Sequence, residues 1–186
     1  MSRLRIFTND QPGQAELETT HHDEMARQLS QIGVRFEQWQ ASQPVQPGDP
    51  PDTVLAAYRD DIARLMDEGG YRSVDVISLD PDHPDREALR RKFLDEHTHS
   101  EDEVRFFVAG SGVFSLHVDD RVYEVLCQAG DLISVPDGIR HWFDMGPRPF
   151  FVAIRLFTST DGWVARFTGD DIASRFPRHH NEAVTA

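Results

Sequence analysis

The C-terminal half of the chain carries the pattern that most constrains its fold. From Glu103 onward, short apolar segments alternate with tight turns, and Asp119-Asp120 marks a hairpin. Many short strands at close spacing are typical of a β-barrel or sandwich. We therefore predict a small β-barrel with one face turned inward. Its predicted strands are residues 103–109, 112–118, 121–126, 131–135, 139–145 and 149–157.

Four potential metal ligands lie at the start of this strand region and on one of its later strands. Residues two apart share a face of an extended chain, so His97, His99 and Glu103 have the same parity. His141 follows a Gly/Pro turn on a later strand, and a closed barrel would bring it to the same point. A histidine pair near a glutamate also occurs in solvated turns, but the apolar strand that follows directly favours a metal site. Three imidazoles and a carboxylate suit iron, nickel, zinc or manganese without choosing among them.

Two arginines accompany these predicted ligands. Arg105 shares the parity of Glu103, so we expect its guanidinium to point towards the metal, where it would favour an anionic ligand. Arg155 interrupts the apolar segment 150–157. A buried charge needs a partner, which here would be either a structural carboxylate or a substrate.

Other polar residues near the ligands have alternative interpretations. Glu96 and Asp102 each adjoin a ligand, and they would orient imidazoles or assist metal loading. Solvated surface acids would have the same pattern. His117 has the opposite parity to Leu116 and Val118, so we predict that it faces outward, away from the metal.

The first part of the chain is predicted to be mainly helical. Helices are expected at residues 21–32, 52–68 and 85–93, and short strands at 3–7, 34–37 and 73–79. The chain of 186 residues shows no repeat or linker, so we predict one domain. It would comprise a helical part to about residue 92, a metal-binding barrel over about 93–168 and a flexible tail over about 174–186.

Composition limits the partners and the compartment. With 19 basic and 32 acidic residues, the formal net charge is -13, which disfavours nucleic acid and anionic membranes as partners. No apolar segment is long enough to span a bilayer, and the N-terminus lacks the apolar region of a signal peptide. The single cysteine, Cys127, cannot form an internal disulfide. We predict a cytoplasmic protein, and a monomer because no long exposed apolar stripe is left over.

Two segments resemble the signatures of the cupin superfamily. The pattern H-x-H-x3-E-x6-G runs from His97 to Gly110 and resembles the first signature. The pattern G-x5-P-x-G-x2-H runs from Gly130 to His141 and resembles the second. The resemblance implies a chain that is mainly β with N-terminal helices, built around a cupin-type β-barrel, or jelly roll.

The chain also resembles one branch of this superfamily, the acireductone dioxygenases of methionine salvage. Arg91 and Met145 stand where cupins usually have a glycine and an asparagine, which indicates a particular branch. The resemblance covers nearly the whole chain and includes the blocks 93–99, 101–106 and 154–157, the last followed by Gly162-Trp163.

This family resemblance implies a cofactor and a reaction. One Fe(II) or Ni(II) per monomer would be held by His97, His99, Glu103 and His141. The substrate would be 1,2-dihydroxy-3-keto-5-methylthiopentene, an enediol, which is cleaved with O2. The Fe(II) form would give formate and 2-keto-4-methylthiobutanoate. The Ni(II) form would give formate, carbon monoxide and 3-methylthiopropanoate.

The resemblance also assigns roles around the metal. Arg105 would stabilise the doubly deprotonated substrate, and Phe93, Phe143, Arg155 and Trp163 would bind the substrate, although each aromatic ring would also suit a plain core. Two other function classes stay open. One is a cupin dioxygenase for another small chelating compound, such as a thiol or diketone. The other is a non-catalytic metal-binding cupin, against which the complete ligand set argues.

Overall fold

Two antiparallel sheets that share one long strand form the body of the protein. The structure, a computed structural model, describes residues 1–159 and 163–180. Its strands in chain order are β1 (Arg3–Thr8), β2 (Leu17–Thr19), β3 (Arg35–Gln38), β4 (Ser73–Leu79), β5 (His97–Thr98), β6 (Glu103–Val118), β7 (Arg121–Gln128), β8 (Asp131–Val135), β9 (Arg140–Asp144), β10 (Phe151–Phe157) and β11 (Arg166–Phe167). Its helices are α1 (His22–Ser30), α2 (Pro51–Ala57), α3 (Arg59–Gly69), α4 (Arg86–Phe93) and α5 (Ile172–Arg175).

The shared strand β6 organises the topology. Its first half, from Glu103 to Gly110, pairs with β8 and β10, and its second half pairs with β7 and β9. One sheet has the order β11-β5-β9-β6-β7-β1-β2, and the other has the order β4-β10-β6-β8-β3. This is the cupin-type β-barrel that the sequence predicts.

Strand β6 replaces the two strands predicted at 103–109 and 112–118. The sequence Gly110-Ser111-Gly112 has the composition of a turn, but here it carries the strand from one sheet into the other. Gly110 has a φ of +73°, and a Cβ atom there would lie 1.8 Å from the carbonyl oxygen of Phe150. Only glycine allows this bend and this close approach while the strand continues.

The N-terminal part supplies four strands to the two sheets, and of these only the short β2 was not predicted. Strand β1 pairs with β7, β3 pairs with β8, and β4 pairs with β10. The single helix predicted over 52–68 is two helices, α2 and α3, which are separated at Tyr58. The ring of Tyr58 lies 4.6 Å from that of Phe106 on β6. None of the described helices is long and apolar enough to cross a bilayer.

The core lies both inside the barrel and beneath the helices. The cluster inside the barrel is largely aliphatic and aromatic, and it includes Phe107, Phe114, Leu116, Phe143 and Ile133. A second cluster joins α2 and α3 to the outer side of β6, β8 and β10, and it includes Trp39, Val54, Leu65, Phe106 and Ile154. Each fully buried large side chain contributes about 1.5–3 kcal/mol. The strands that carry the predicted ligands are therefore held on both sides.

The first part of the predicted flexible tail contacts the rest of the protein. Phe176 is 4% exposed, and its ring centre lies 5.6 Å from that of Phe7. The main-chain N–H of His179 donates to Oδ2 of Asp144 at 2.9 Å, and Arg90 donates to the His179 carbonyl at 3.4 Å. Phe176 and His179 therefore hold the first part of the predicted tail against the barrel and α4. The rest of the predicted tail, residues 181–186, lies outside the described residues.

Candidate metal centre

The four predicted ligands converge inside the barrel. His97 on β5 pairs with His141 on β9, while His99 follows β5 and Glu103 begins β6. All four side chains are buried, and one ligand atom from each lies within 4.8 Å of the others. Glu103 Oε2 is 3.0 Å from His99 Nε2 and 3.1 Å from His141 Nε2. The separations of 3.0 and 3.1 Å are those of donor atoms bound at about 2.0–2.2 Å to one ion, so the barrel contains a three-histidine, one-glutamate metal site.

Main-chain carbonyls orient the three imidazoles. The Nδ1 atoms of His97 and His141 each lie 2.8 Å from a carbonyl oxygen, and that of His99 lies 3.1 Å from another. A carbonyl only accepts, so each Nδ1 carries the proton and each Nε2 keeps its lone pair for a metal. The donor set therefore fits a divalent transition metal. The accepting carbonyl is that of Asp95 for His97, that of Ile139 for His141 and that of Val164 for His99.

The electrostatics of the site favour a neutral His97 and an ionised Glu103, the forms in which these two side chains bind a metal. Burial, together with the charge of His141, lowers the pKa of His97 to about 4. Burial alone would raise the pKa of Glu103, but the Arg105 charge and the neighbouring His141 and His99 hold it well below its usual range. Burial alone would lower the pKa of His99, but its hydrogen bond with Glu103, the charge of Glu103 and the hydrogen bond with the Val164 carbonyl together raise it overall. The carboxylate is thus ionised before any metal arrives.

Arg105 is the buried cation beside the ligands. It is 6% exposed, and one of its Nη2 hydrogens is donated to Glu103 Oε1 at 2.9 Å. Its guanidinium lies 4.4 Å from the ring centre of Phe143 and 5.6 Å from that of Trp163. Its Nε–H has no acceptor among the described residues. A buried charged donor without an acceptor is costly, so this position suits an acceptor brought by a bound molecule.

Arg155 has the structural partner that one of its two interpretations required. Its Nε donates to Asp75 Oδ1 at 2.9 Å, and its Nη2 donates to Asp75 Oδ2 at 2.6 Å. On β10, Arg155 stands opposite Asp75 on β4 and opposite Arg105 on β6. The guanidinium also lies 5.5 Å from the ring centre of Trp163. The pair therefore forms part of the wall beside the metal ligands.

A cavity of about 430 Å³ opens beside His99 and Glu103. Of the residues predicted to contact a substrate, Phe93, Arg155 and Trp163 line it together with Arg105. Phe143 does not line it, since this ring is 2% exposed and packs against Arg105 and Phe114. Asp75 and Lys92 also line the cavity, and the sequence patterns did not single them out. The remaining wall is largely apolar and includes Val74, Ile77, Leu79, Leu89, Met145 and Phe151.

Glu96 and His117 form a buried pair away from the ligands. Glu96 is 1% exposed, with one carboxylate oxygen bonded to His117 Nδ1 and the other accepting from the Thr168 hydroxyl at 2.8 Å. The prediction that His117 faces outward is wrong, because it is 5% exposed and its Nε2 lies 2.9 Å from the Asn9 amide nitrogen. The parity was right, but other segments cover both faces of β6. Glu96 bonds no ligand imidazole.

Asp102 also bonds no ligand imidazole. Its carboxylate accepts from the Tyr71 hydroxyl and from the main-chain N–H of Asp137, both at 3.1 Å. Its carbonyl accepts from Trp163 Nε1 at 3.1 Å. Asp102 thus connects the turn that precedes His141 with the indole at the cavity wall. The carbonyls on the imidazoles were missed because main-chain acceptors leave no signal in the sequence.

Known proteins match the chain over nearly its whole length. The profile of the ARD/ARD' family matches residues 3–165. An acireductone dioxygenase of Xanthomonas euvesicatoria pv. vesicatoria is 59% identical over 182 residues, which is 98% of this chain and 97% of the relative. One of Stenotrophomonas maltophilia is 60% identical over 179 residues, which is 96% and 97% of the two chains. A solved acireductone dioxygenase from Bacillus anthracis, with a cadmium ion in its active centre, superposes with a TM-score of 0.77 at 31% identity, covering 90% of this chain and 98% of that one.

Proposed function

Because the chain belongs to the ARD/ARD' family, that of the acireductone dioxygenases, we propose that it cleaves 1,2-dihydroxy-3-keto-5-methylthiopentene with O2 in methionine salvage. The observation that carries the proposal is the buried metal site with a buried guanidinium beside it, whose Nε–H lacks an acceptor. When bound by His97, His99, Glu103 and His141, Fe(II) or Ni(II) would supply a Lewis acid and a template for an enediolate.

Arg105 is proposed to hold the ionised substrate. A cation beside a weak acid favours the deprotonated form, so the guanidinium favours loss of the enediol protons. The hydrogen bond to Glu103 uses only part of the donor capacity of the Arg105 guanidinium, and its Nε–H is left to donate to a substrate oxygen. Phe143 lies behind the guanidinium and restricts its movement. The cation is therefore fixed before the substrate arrives.

The aromatic wall is proposed to exclude water from the reacting enediolate. Trp163 and Phe93 line the cavity, and the Trp163 indole is fixed by its hydrogen bond to the carbonyl of Asp102. Removing water lowers the local dielectric and strengthens the attraction between Arg105 and an anionic substrate. The Asp75–Arg155 pair adds little net charge, so Arg105, beside Glu103, attracts the anionic substrate most strongly.

We propose that the products depend on the metal. The Fe(II) form would give formate and 2-keto-4-methylthiobutanoate, and the Ni(II) form would give formate, carbon monoxide and 3-methylthiopropanoate. The experiment is anaerobic metal replacement, followed by decay of acireductone absorbance in air and assay of the headspace for carbon monoxide. Carbon monoxide from the Ni(II) form alone would support the proposal, and no acceleration by either form would refute it.

A variant tests the role of Arg105. Arg105→Met should keep its metal and lose about 10²–10³-fold in kcat, as for the loss of one preorganised charge-stabilising donor. Arg121→Met, which removes an exposed arginine on β7, is the matched control and should keep its activity. Full turnover by metal-loaded Arg105→Met would refute the assignment.

The protein is further proposed to act as a single-domain cytoplasmic monomer whose only partners in the reaction are the small substrate and O2. The excess of acidic residues favours a dispersed protein over binding to nucleic acid or anionic membranes. Sedimentation equilibrium of the metal-loaded protein tests the monomeric state, and a mass twice that of the chain would contradict it.

A further inference from the structure

The chain contains a single lysine, and it lines the active-site cavity. Nineteen residues are Lys or Arg, and only Lys92 among them is a lysine. It lies in the last turn of α4, next to Phe93, and its side chain is exposed to solvent as well as to the cavity. An exposed lining residue lies at the opening, so Lys92 places a primary amine at the entrance to the site.

The other two cations of the cavity are already paired. Arg105 donates to Glu103, and Arg155 donates twice to Asp75. Among the described residues Lys92 has no carboxylate partner, and its ammonium lies 5.5 Å from the ring centre of Phe93. Lys92 is therefore the uncommitted positive charge of the cavity.

We propose that Lys92 attracts the anionic substrate to the opening and contacts it as it enters. This inference rests on the proposed function, in which the substrate is an enediolate. The protein carries a net charge of -13 and repels an anion at long range, so capture needs a local positive field at the opening. The charges of Lys92 at the opening and of Arg105 deeper in the cavity form such a path.

The chemistry of lysine suits an entry residue. Its ammonium is a compact, hydrated charge on a flexible stem, whereas an arginine grips a carboxylate with two parallel hydrogen bonds. Both proposed products of the Fe(II) form are carboxylates, which must leave through the same opening. A point charge therefore attracts the incoming anion without holding the outgoing ones.

A pair of charge-removing variants tests the proposal. Lys92→Gln and Arg91→Gln each remove one exposed positive charge from the same turn, but Arg91 does not line the cavity. In the Fe(II) enzyme at low ionic strength, Lys92→Gln should lower kcat/KM about 3- to 10-fold with kcat retained, and added salt should reduce the difference. Arg91→Gln should change kcat/KM less than about 2-fold, and Lys92→Arg should restore it. Equal effects of the two glutamine variants would overturn the proposal.

Acylation gives a readout that does not need turnover. The described fold has only two amines, those of Lys92 and the N-terminus, so peptide mass identifies each product of acetic anhydride treatment. Anaerobic acireductone should protect Lys92 in the metal-loaded protein and leave the N-terminal amine reactive. An absence of protection in an enzyme that does consume acireductone would overturn this inference alone. Failure of the unmodified Fe(II) and Ni(II) enzymes to consume acireductone would instead overturn the proposed function.

Discussion

Replacing Gly110 with alanine should destabilise the barrel more than the same change at Gly138. Both glycines have a φ of +73°. A Cβ atom at Gly138 would meet nothing within 4 Å, whereas one at Gly110 would lie 1.8 Å from the carbonyl oxygen of Phe150 and 2.6 Å from its carbonyl carbon. Gly138→Ala therefore changes the backbone preference alone, and Gly110→Ala adds a collision with the main chain of the segment that leads into β10.

The two contributions have separate magnitudes. The left-handed conformation costs an alanine about 1–2 kcal/mol, and this is the expected loss for Gly138→Ala. Overpacking against a backbone that cannot rotate away adds about 1–3 kcal/mol, so the expected loss for Gly110→Ala is about 2–5 kcal/mol. The difference isolates the close approach at which β6 passes from one sheet to the other.

Urea unfolding monitored by tryptophan fluorescence measures both losses. With a slope of about 1–3 kcal/mol per molar urea, a loss of 3 kcal/mol, taken as about the middle of the expected range, moves the midpoint by about 1–3 M. Both variants must be measured at one metal concentration, because bound metal stabilises the folded state. If Gly110→Ala unfolds at the same midpoint as Gly138→Ala, the close approach does not constrain the barrel and the reasoning is wrong.

Three further predictions concern residues around the site. Asp75→Asn should lower the free energy of unfolding by less than about 1 kcal/mol in a urea titration, because the Asp75 side chain is 46% exposed where it pairs with Arg155. Asp144→Asn should cost about 1–3 kcal/mol at neutral pH, since it removes a buried carboxylate bonded twice by Arg90. Burial alone would raise the pKa of Asp144, but the bonds from Arg90 and two main-chain N–H groups hold it below its usual value. Its contribution should therefore be complete above the usual pKa of an aspartate and should be lost as the pH falls through the lowered pKa, which urea titrations at a series of pH values would measure. Burial raises the pKa of the Cys127 thiol well above its usual range, so iodoacetamide should label it only at the rate of unfolding, and rapid labelling of the folded protein would contradict the buried position.

Hydrophobic periodicity and composition predicted an element well where one pattern continued through the whole segment. The predicted strand 73–79 and the observed β4 coincide, and α3 ends within one residue of the predicted helix end at residue 68, before the left-handed Gly70. The helix over 52–68 was predicted without its break, because a helical stripe does not reveal that Tyr58 turns onto Phe106. That contact joins residues far apart in the chain, and local periodicity carries no information about it.

The metal site was accessible from the sequence because its ligands are of a characteristic type and share a parity. The burial of His117 was not accessible in the same way. Alternation assigns a side chain to a face of a strand, and the other face is solvent only if nothing packs on it. Here Asn9 from one end of the chain and Thr168 from the other cover that face, together with Glu96. An unpaired imidazole in this position would have been costly, so the pairing follows from the packing.

The acidic residues near the start of β6 have two roles, since one belongs to the metal site and the others hold the surrounding loops. Only Glu103 enters the ligand set. Glu101 accepts from the main-chain N–H groups of Thr158 and Ser159 at 2.9 and 3.1 Å. Asp102 fixes the turn before His141, and Glu96 fixes the segment at residue 168. Each of these segments borders the site, and none of the three acids bonds a ligand imidazole. These three acids therefore add no ligand to the metal site, and they fix the loops that enclose it.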